Sequence, residues 1–147
     1  MTLIIDKKNN MLDSREIKLL IIHCSDTPNE HADKVDARFI HNMHLGFGWD
    51  GIGYHKIICR NGKIENGRPE YWIGAHVKGK NEISLGVCLI GQDNFTKKQF
   101  KSLEIILKKW KLTYQNAKII GHRESTITNK TCPNFNVANW CKERNIN

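Results

Sequence analysis

Apolar residues in this chain fall into two patterns: short continuous runs, and longer stretches with apolar positions three or four residues apart. The continuous runs are short and end at turn-forming residues, which is typical of strands buried inside a sheet. Together with a return strand after the Asn61-Gly62 turn signal, these runs cover residues 17–23, 54–60, 63–65, 71–77, 84–90 and 118–121. The pattern predicts a sheet of about five strands.

The stretches with helical spacing lie between and after these strands. The clearest helix begins after Thr96, which opens a Thr-x-x-Gln capping box. Its apolar face consists of Phe100, Leu103, Leu107 and Trp110. Asp33 is the predicted cap of a helix over residues 34–45, and Asn136 is the predicted cap of a closing helix. Helices that fill the gaps between strands predict an α/β fold, with a central mixed sheet flanked by helices.

The length of 147 residues fits one domain with a single substantial core. Residues 1–14 show no clear period and are predicted to be an extension, with the domain proper over residues 15–147. No run of about 18 apolar residues exists, so no membrane span is expected. The amino-terminal residues lack the features of a signal peptide. We therefore expect the protein to be made in the cytoplasm.

The formal net charge of +8 indicates a polyanionic partner, or simply a solvated basic surface. Nucleic acid, an anionic membrane surface and an acidic cell-wall polymer are all compatible with the charge alone. The lysines are spread over the whole chain, and no arginine-rich helix or aromatic nucleic-acid motif accompanies them. A nucleic-acid partner is therefore not expected.

Three residues in two separate segments predict a metal site. His122 closes a predicted strand and is followed by a loop that carries Cys132, and His23 ends another predicted strand. Imidazole and thiolate are ligands that zinc accepts, and three protein ligands leave the open position of a catalytic zinc site. Such a site predicts hydrolysis.

Other histidines and cysteines fit ordinary structural roles better. His41 and His44 stand three residues apart on a predicted helix but lack a third ligand nearby, so they are expected to lie on the surface or line a cleft. The five cysteines are an odd number without regular spacing, which disfavours a disulfide framework. Cys59 and Cys88 lie inside predicted strands, where a cysteine is usually a small buried apolar residue.

Seven segments carry a resemblance to a known family, and they occur in the family's order. They are LLIIHCSDT, GIGYHKII, IENGRPE, GAHVKGKN, ISLGVCLIG, IIGHRE and KTCPNF. From about Arg15 to Arg144 the chain resembles the zinc-dependent N-acetylmuramoyl-L-alanine amidases of the type 2 family, which is related to the peptidoglycan recognition proteins. The resemblance implies zinc-dependent hydrolysis of the amide bond between N-acetylmuramic acid and L-alanine in peptidoglycan, as in a phage or prophage endolysin.

The resemblance also implies roles for individual residues around the zinc ligands His23, His122 and Cys132. Lys130 and Tyr54 are the implied catalytic residues. An ammonium group near a zinc ligand can stabilise an oxyanion, and a phenol can hydrogen-bond the water or the intermediate.

Two further residues keep alternative roles. Glu124 is a rival to Tyr54 as the general base, or a residue that orients a ligand histidine. His76 is expected at the cleft, either in contact with substrate or in a structural role.

The alternative function is a peptidoglycan-binding or regulatory module with the same fold but little turnover. Loss of Cys132 or Tyr54 would indicate such a module, and both residues are present. The protein is expected to be a monomer that acts on the cell wall after release or secretion. A regulatory protein remains a second partner to be considered.

Overall fold

The structure is a computed structural model that describes residues 16–146. The predicted boundary between the extension and the domain lies outside these residues. The elements are β1 (Leu19–Cys24), a 3₁₀ helix (Asn29–Lys34), α1 (Ala37–Gly46), β2 (Lys56–Ile58), β3 (Ile64–Asn66), a second 3₁₀ helix (Asn81–Ile83), β4 (Ser84–Leu89), α2 (Lys97–Thr113), β5 (Lys118–Gly121), α3 (His122–Ser125) and α4 (Val137–Glu143).

The five strands form one sheet in the order β3-β2-β4-β1-β5. β1 pairs in parallel with both β4 and β5, and β2 pairs in parallel with β4. Only β3 is antiparallel, because it returns directly from β2 through the Asn61-Gly62 turn. The predicted α/β fold with a mixed five-stranded sheet is confirmed. Parallel neighbours place the carboxyl ends of β1 and β5 at the same edge.

The sheet is covered on both faces, which explains why its central strands are continuously apolar. Every residue of β4 is buried. Alternate residues of β1, such as Leu20 and Ile22, pack with Trp110 of α2 and Trp140 of α4, and the buried Ile146 joins this cluster. A smaller cluster joins Ile40 of α1 to Ile57 of β2 and also contains Val35, Ile52 and Ile90.

One predicted helix start and one predicted strand are wrong. The predicted helix over residues 34–45 begins only at Ala37, because Asp36 rather than Asp33 caps it through a bond from the backbone N–H of Phe39. Residues 71–77 are not a strand. Their backbone turns instead, with the Ala75 N–H bonded to the carbonyl of Gly53. The Trp72 carbonyl oxygen lies 2.9 Å from His55 Nε2, and the segment adds no strand to the sheet.

The amino end of α2 is tied to the sheet by a buried glutamine. Thr96 and Gln99 form the predicted capping box. The fully buried Gln99 amide also donates to the carbonyl oxygens of Ile58 and Ile90, at 3.2 and 2.9 Å. One side chain thus satisfies the helix cap and two carbonyls at the end of the sheet.

We expect Gln99→Met to lower the free energy of unfolding by roughly 2–4 kcal/mol, because it removes the capping bond and both carbonyl bonds. The Ile58 carbonyl keeps its bond from the Ile90 N–H, but the Ile90 carbonyl then depends on a 3.5 Å contact from Arg60. Urea unfolding measures the change. Gln115→Met, at an exposed position, is the matched control. Equal midpoints for the two variants would show that Gln99 does not tie α2 to the sheet.

No helix among residues 16–146 is long and apolar enough to cross a membrane.

All five cysteines are free thiols.

Candidate metal and catalytic site

Two histidines reach the same edge of the sheet from neighbouring parallel strands. His23 lies near the carboxyl end of β1, and His122 follows β5 directly as the first residue of α3. The centroids of their rings are 4.7 Å apart. His23 is almost fully buried, at 1% exposure, while His122 is half-buried. The sheet topology therefore supplies a pair of imidazoles at the position where ligands bind in open α/β sheets.

Cys132 joins this pair from the loop after α3. One donor atom from each of His23, His122 and Cys132 lies within 4.8 Å of the others. The backbone N–H of Cys24 donates to the Cys132 sulfur at 3.0 Å, and the Arg123 N–H donates to the Cys132 carbonyl at 2.9 Å. These two bonds fix the thiol beside the histidines.

The two histidines are held in the protonation state that binds metal. Burial lowers the pKa of His23 well below its usual range, and the neighbouring His122 and Lys130 lower it further. Burial and then Lys130 lower the pKa of His122. Both rings are therefore held neutral, the form that binds metal. A hydrogen bond with Cys24, together with burial, raises the pKa of the Cys132 thiol. A bound cation would reverse that preference, since metal ions deprotonate coordinating thiols.

The donors open onto a cleft of about 400 Å³. Tyr54 and Lys130 both line it. The Tyr54 ring centroid is 5.0 Å from that of His23, and the half-buried phenol has its pKa raised, chiefly by burial. It therefore keeps its proton, and the side chain of the buried Cys88 is its hydrogen-bonding neighbour. Lys130 is exposed, two residues before Cys132.

His76 also lines the cleft, and it contacts His23 directly. The His23 Nε2 and His76 Nδ1 atoms are 2.8 Å apart. Burial lowers the pKa of His76 well below its usual range, with His23 as the next cause.

Glu124 lies outside the residues that line the cleft. One of its carboxylate oxygens accepts from the Gly121 N–H at 3.0 Å, and the other accepts from the Arg123 guanidinium at 2.9 Å. These contacts hold the start of α3, which begins with His122. The geometry therefore favours Tyr54 over Glu124 as the group that acts on substrate.

His41 and His44 hold the glycine-rich loop after α1. The Ile52 N–H donates to the Nδ1 atom of His41 at 3.0 Å, and the Gly53 N–H donates to the Nδ1 atom of His44 at 2.9 Å. His44 lines the cleft, and neither histidine belongs to the metal-ligand group found among residues 16–146.

The sequence reasoning did not identify two aromatic residues of this loop. Phe47 and Trp49 line the cleft with 60% and 42% of their surface exposed. Their ring centroids are 5.4 Å apart. The sequence feature that could have identified them is the presence of two aromatic residues in a glycine-rich loop. A loop that only connects two elements does not need aromatic residues.

Comparisons with known proteins agree with this geometry. A family model described as N-acetylmuramoyl-L-alanine amidase matches residues 13–135. The chain is 38% identical over 136 residues to the endolysin of Enterobacteria phage K11, covering 87% of each chain.

Solved structures with the same fold include the endolysin N-acetylmuramoyl-L-alanine amidase LysCS from Clostridium intestinale. Its TM-score is 0.78 at 25% identity, covering 90% of this chain and 86% of that one. The bumblebee protein PGRP-SA matches with a TM-score of 0.76 at 26% identity, covering 90% of this chain and 84% of that one.

The chain therefore belongs to the N-acetylmuramoyl-L-alanine amidase family. The predicted family and its relation to the peptidoglycan recognition proteins are confirmed. So is the predicted activity, amide hydrolysis in peptidoglycan.

Proposed function

We propose that this protein is a zinc-dependent endolysin that uses His23, His122 and Cys132 as its zinc ligands. The observation that carries the proposal is the approach of two neutral imidazoles and a thiol to within 4.8 Å of one another at the edge of the cleft. Three nitrogen and sulfur donors leave a fourth position for water or substrate, which is the pattern of catalytic zinc sites. Zinc held there supplies a water nucleophile at neutral pH and polarisation of the scissile carbonyl.

Lys130 and Tyr54 are the groups of the chain that act on the reacting amide. The Lys130 ammonium lies beside the ligand set and donates to the carbonyl oxygen as negative charge develops on it. The Tyr54 side chain lies next to His23 in the cleft wall, and its hydroxyl keeps its proton. The hydroxyl donates a hydrogen bond to the reacting amide. Each donor stabilises the transition state more than the bound substrate, which lowers the barrier to hydrolysis.

The cleft also offers a surface for substrate binding. Phe47 and Trp49 present exposed rings on one wall. Flat apolar rings suit the faces of sugar rings and the alkyl parts of a stem peptide, while the net charge of +8 attracts a polymer that carries carboxylates. The wall and the charge together support binding of peptidoglycan strands.

The biological role follows from the relatives. The protein from phage K11 is named an endolysin, and the similarity covers 87% of both chains. By analogy this protein degrades the host cell wall after release from the cell interior. The predicted monomer and the predicted regulatory partner stay predictions.

Digestion of purified peptidoglycan tests the reaction. We expect one new amino group per bond cut, identified as the amino group of L-alanine, and no new reducing sugar ends. Mass analysis of the soluble products together with an assay for reducing ends measures both. A zinc-chelated sample of the same protein is the control.

New reducing ends in step with wall solubilisation would show a glycosidase instead. Tight binding to peptidoglycan without any released amino groups, by zinc-loaded protein, would support the alternative of a binding module.

A further inference from the structure

A line of polar side chains runs from His23 through His76 to Ser84. His23 Nε2 lies 2.8 Å from His76 Nδ1, and His76 Nε2 lies 3.2 Å from the Ser84 hydroxyl oxygen. The Ser84 hydroxyl in turn lies 2.7 Å from the carbonyl oxygen of Lys80. Ser84 is fully buried and His23 nearly so. Each polar atom in this line therefore depends on its neighbour for a hydrogen bond.

The carbonyl oxygen of Lys80, at the end of the line, determines the position of each proton in the line. The Lys80 carbonyl can only accept, so the Ser84 hydroxyl donates to it. The hydroxyl oxygen is then free to accept from His76, which places the proton of the His76 ring on Nε2. In a neutral ring the other nitrogen, Nδ1, is an acceptor. It accepts from His23, whose proton must therefore lie on Nε2, and the lone pair of His23 is left on Nδ1.

The backbone around His76 keeps its ring in this position. Gly74 and Gly86 lie against the ring, because a Cβ atom added at either residue would come within 2.7 Å of a ring atom. The Asn81 side-chain oxygen accepts from the N–H groups of His76 and Val77, both at 2.9 Å. The His76 ring therefore has little freedom to rotate, because the backbone packs closely against it and two hydrogen bonds hold its main chain.

We propose that His76 is a positioning residue for the metal site: it fixes the tautomer and orientation of His23, so that Nδ1 of His23 is the metal-binding nitrogen. This inference rests on the proposed role of His23 as a ligand. Ligand histidines commonly donate their second N–H to an acceptor that fixes the ring, and here that acceptor is a second histidine backed by Ser84. The hydrogen bonds thereby give His76 a role in the metal site.

Histidine tautomers and zinc affinity test the proposal independently. In nitrogen-15 NMR of the full chain, with and without zinc, we expect the protonated nitrogen to be Nε2 in both His23 and His76. By competition with a chelating dye, we expect His76→Leu to weaken zinc binding by about 10–100-fold. His76→Asn returns an acceptor oxygen near the place of Nδ1 and should restore most of the affinity.

Two further variants separate positioning from general damage to the fold. Ser84→Ala removes the acceptor for the His76 Nε2 proton, so the His76 tautomer should become mixed and zinc affinity should fall by less than in His76→Leu. His44→Leu is the matched control, because His44 is another buried histidine of the cleft that makes no contact in this line. It should keep its zinc affinity.

A His76 proton on Nδ1 in the wild-type protein would overturn the proposal, and so would equal zinc affinities for His76→Leu and His44→Leu. If His76→Leu does not fold, the wild-type tautomers and Ser84→Ala decide the question. A wild-type protein that binds no zinc would instead refute the proposed function, whereas normal zinc binding with the wrong tautomer refutes only the positioning role.

Discussion

Cys132→Ala should lose zinc and amidase activity together. The variant removes one of three protein donors, and the loss of a ligand should exceed the roughly 10–100-fold effect on affinity of changing an outer neighbour of a ligand. The two remaining imidazoles should hold zinc too weakly for it to survive dialysis. Metal analysis of the dialysed protein and release of amino groups from peptidoglycan measure the two effects. Circular dichroism should show an unchanged fold, because Cys132 lies in a loop.

Cys59→Ala is the matched control, since Cys59 is also a half-buried free thiol but lies outside the cleft. It should retain about one zinc per chain and normal activity. Full zinc occupancy in the Cys132 variant would contradict the ligand assignment. So would activity that survives complete removal of zinc by a chelator.

Lys130→Ala should lower kcat by roughly 10²–10³ while KM changes little, since loss of one oxyanion donor typically has an effect of this size. Zinc should remain bound, because Lys130 is not a donor in the ligand set. Steady-state kinetics on a soluble muramoyl peptide measures the two constants. Lys97→Ala, an exposed lysine on α2 outside the cleft, is the control for the loss of one positive charge.

An increase in KM alone would instead assign Lys130 to substrate binding.

Tyr54→Phe in the same assay should lower kcat by about 10²-fold or more. Near-normal turnover in that variant, beside an inactive but folded and zinc-loaded Glu124→Gln enzyme, would move the proton-handling role to Glu124.

The sequence predicted the sheet well where local pattern and burial agree. The apolar runs of β1, β4 and β5 and the Asn61-Gly62 turn gave strands close to their observed positions. The capping box at Thr96 and the cap at Asn136 could also be predicted, because each depends on residues only a few positions apart. The apolar stretch over residues 71–77 wrongly predicted a strand, since its hydrogen-bond partners Gly53 and His55 lie in a loop about 20 residues earlier in the chain.

In the candidate site, too, the features that depend on local sequence could be predicted, and those that depend on distant residues could not. The chemistry of His23, His122 and Cys132 could be predicted from residue type and strand ends, because parallel strands bring their carboxyl ends together. Their mutual distances could not. The contact of His76 with His23 spans 53 residues, and the support from Ser84 becomes visible only in three dimensions. The wall formed by Phe47 and Trp49 depends likewise on how α1 packs.

The direction of β1 and the burial of Ile146 bear on how the protein can be joined to other modules. β1 begins at Leu19, and His23 lies four residues further along the strand, so at about 3.3 Å per residue the strand starts roughly 13 Å from His23. Ile146, by contrast, is 6% exposed and packs in the core. A purification tag or a wall-targeting domain attached just ahead of residue 16 would start at the far end of the sheet from the cleft. A domain attached directly after Ile146 would instead be joined to a residue that packs in the core.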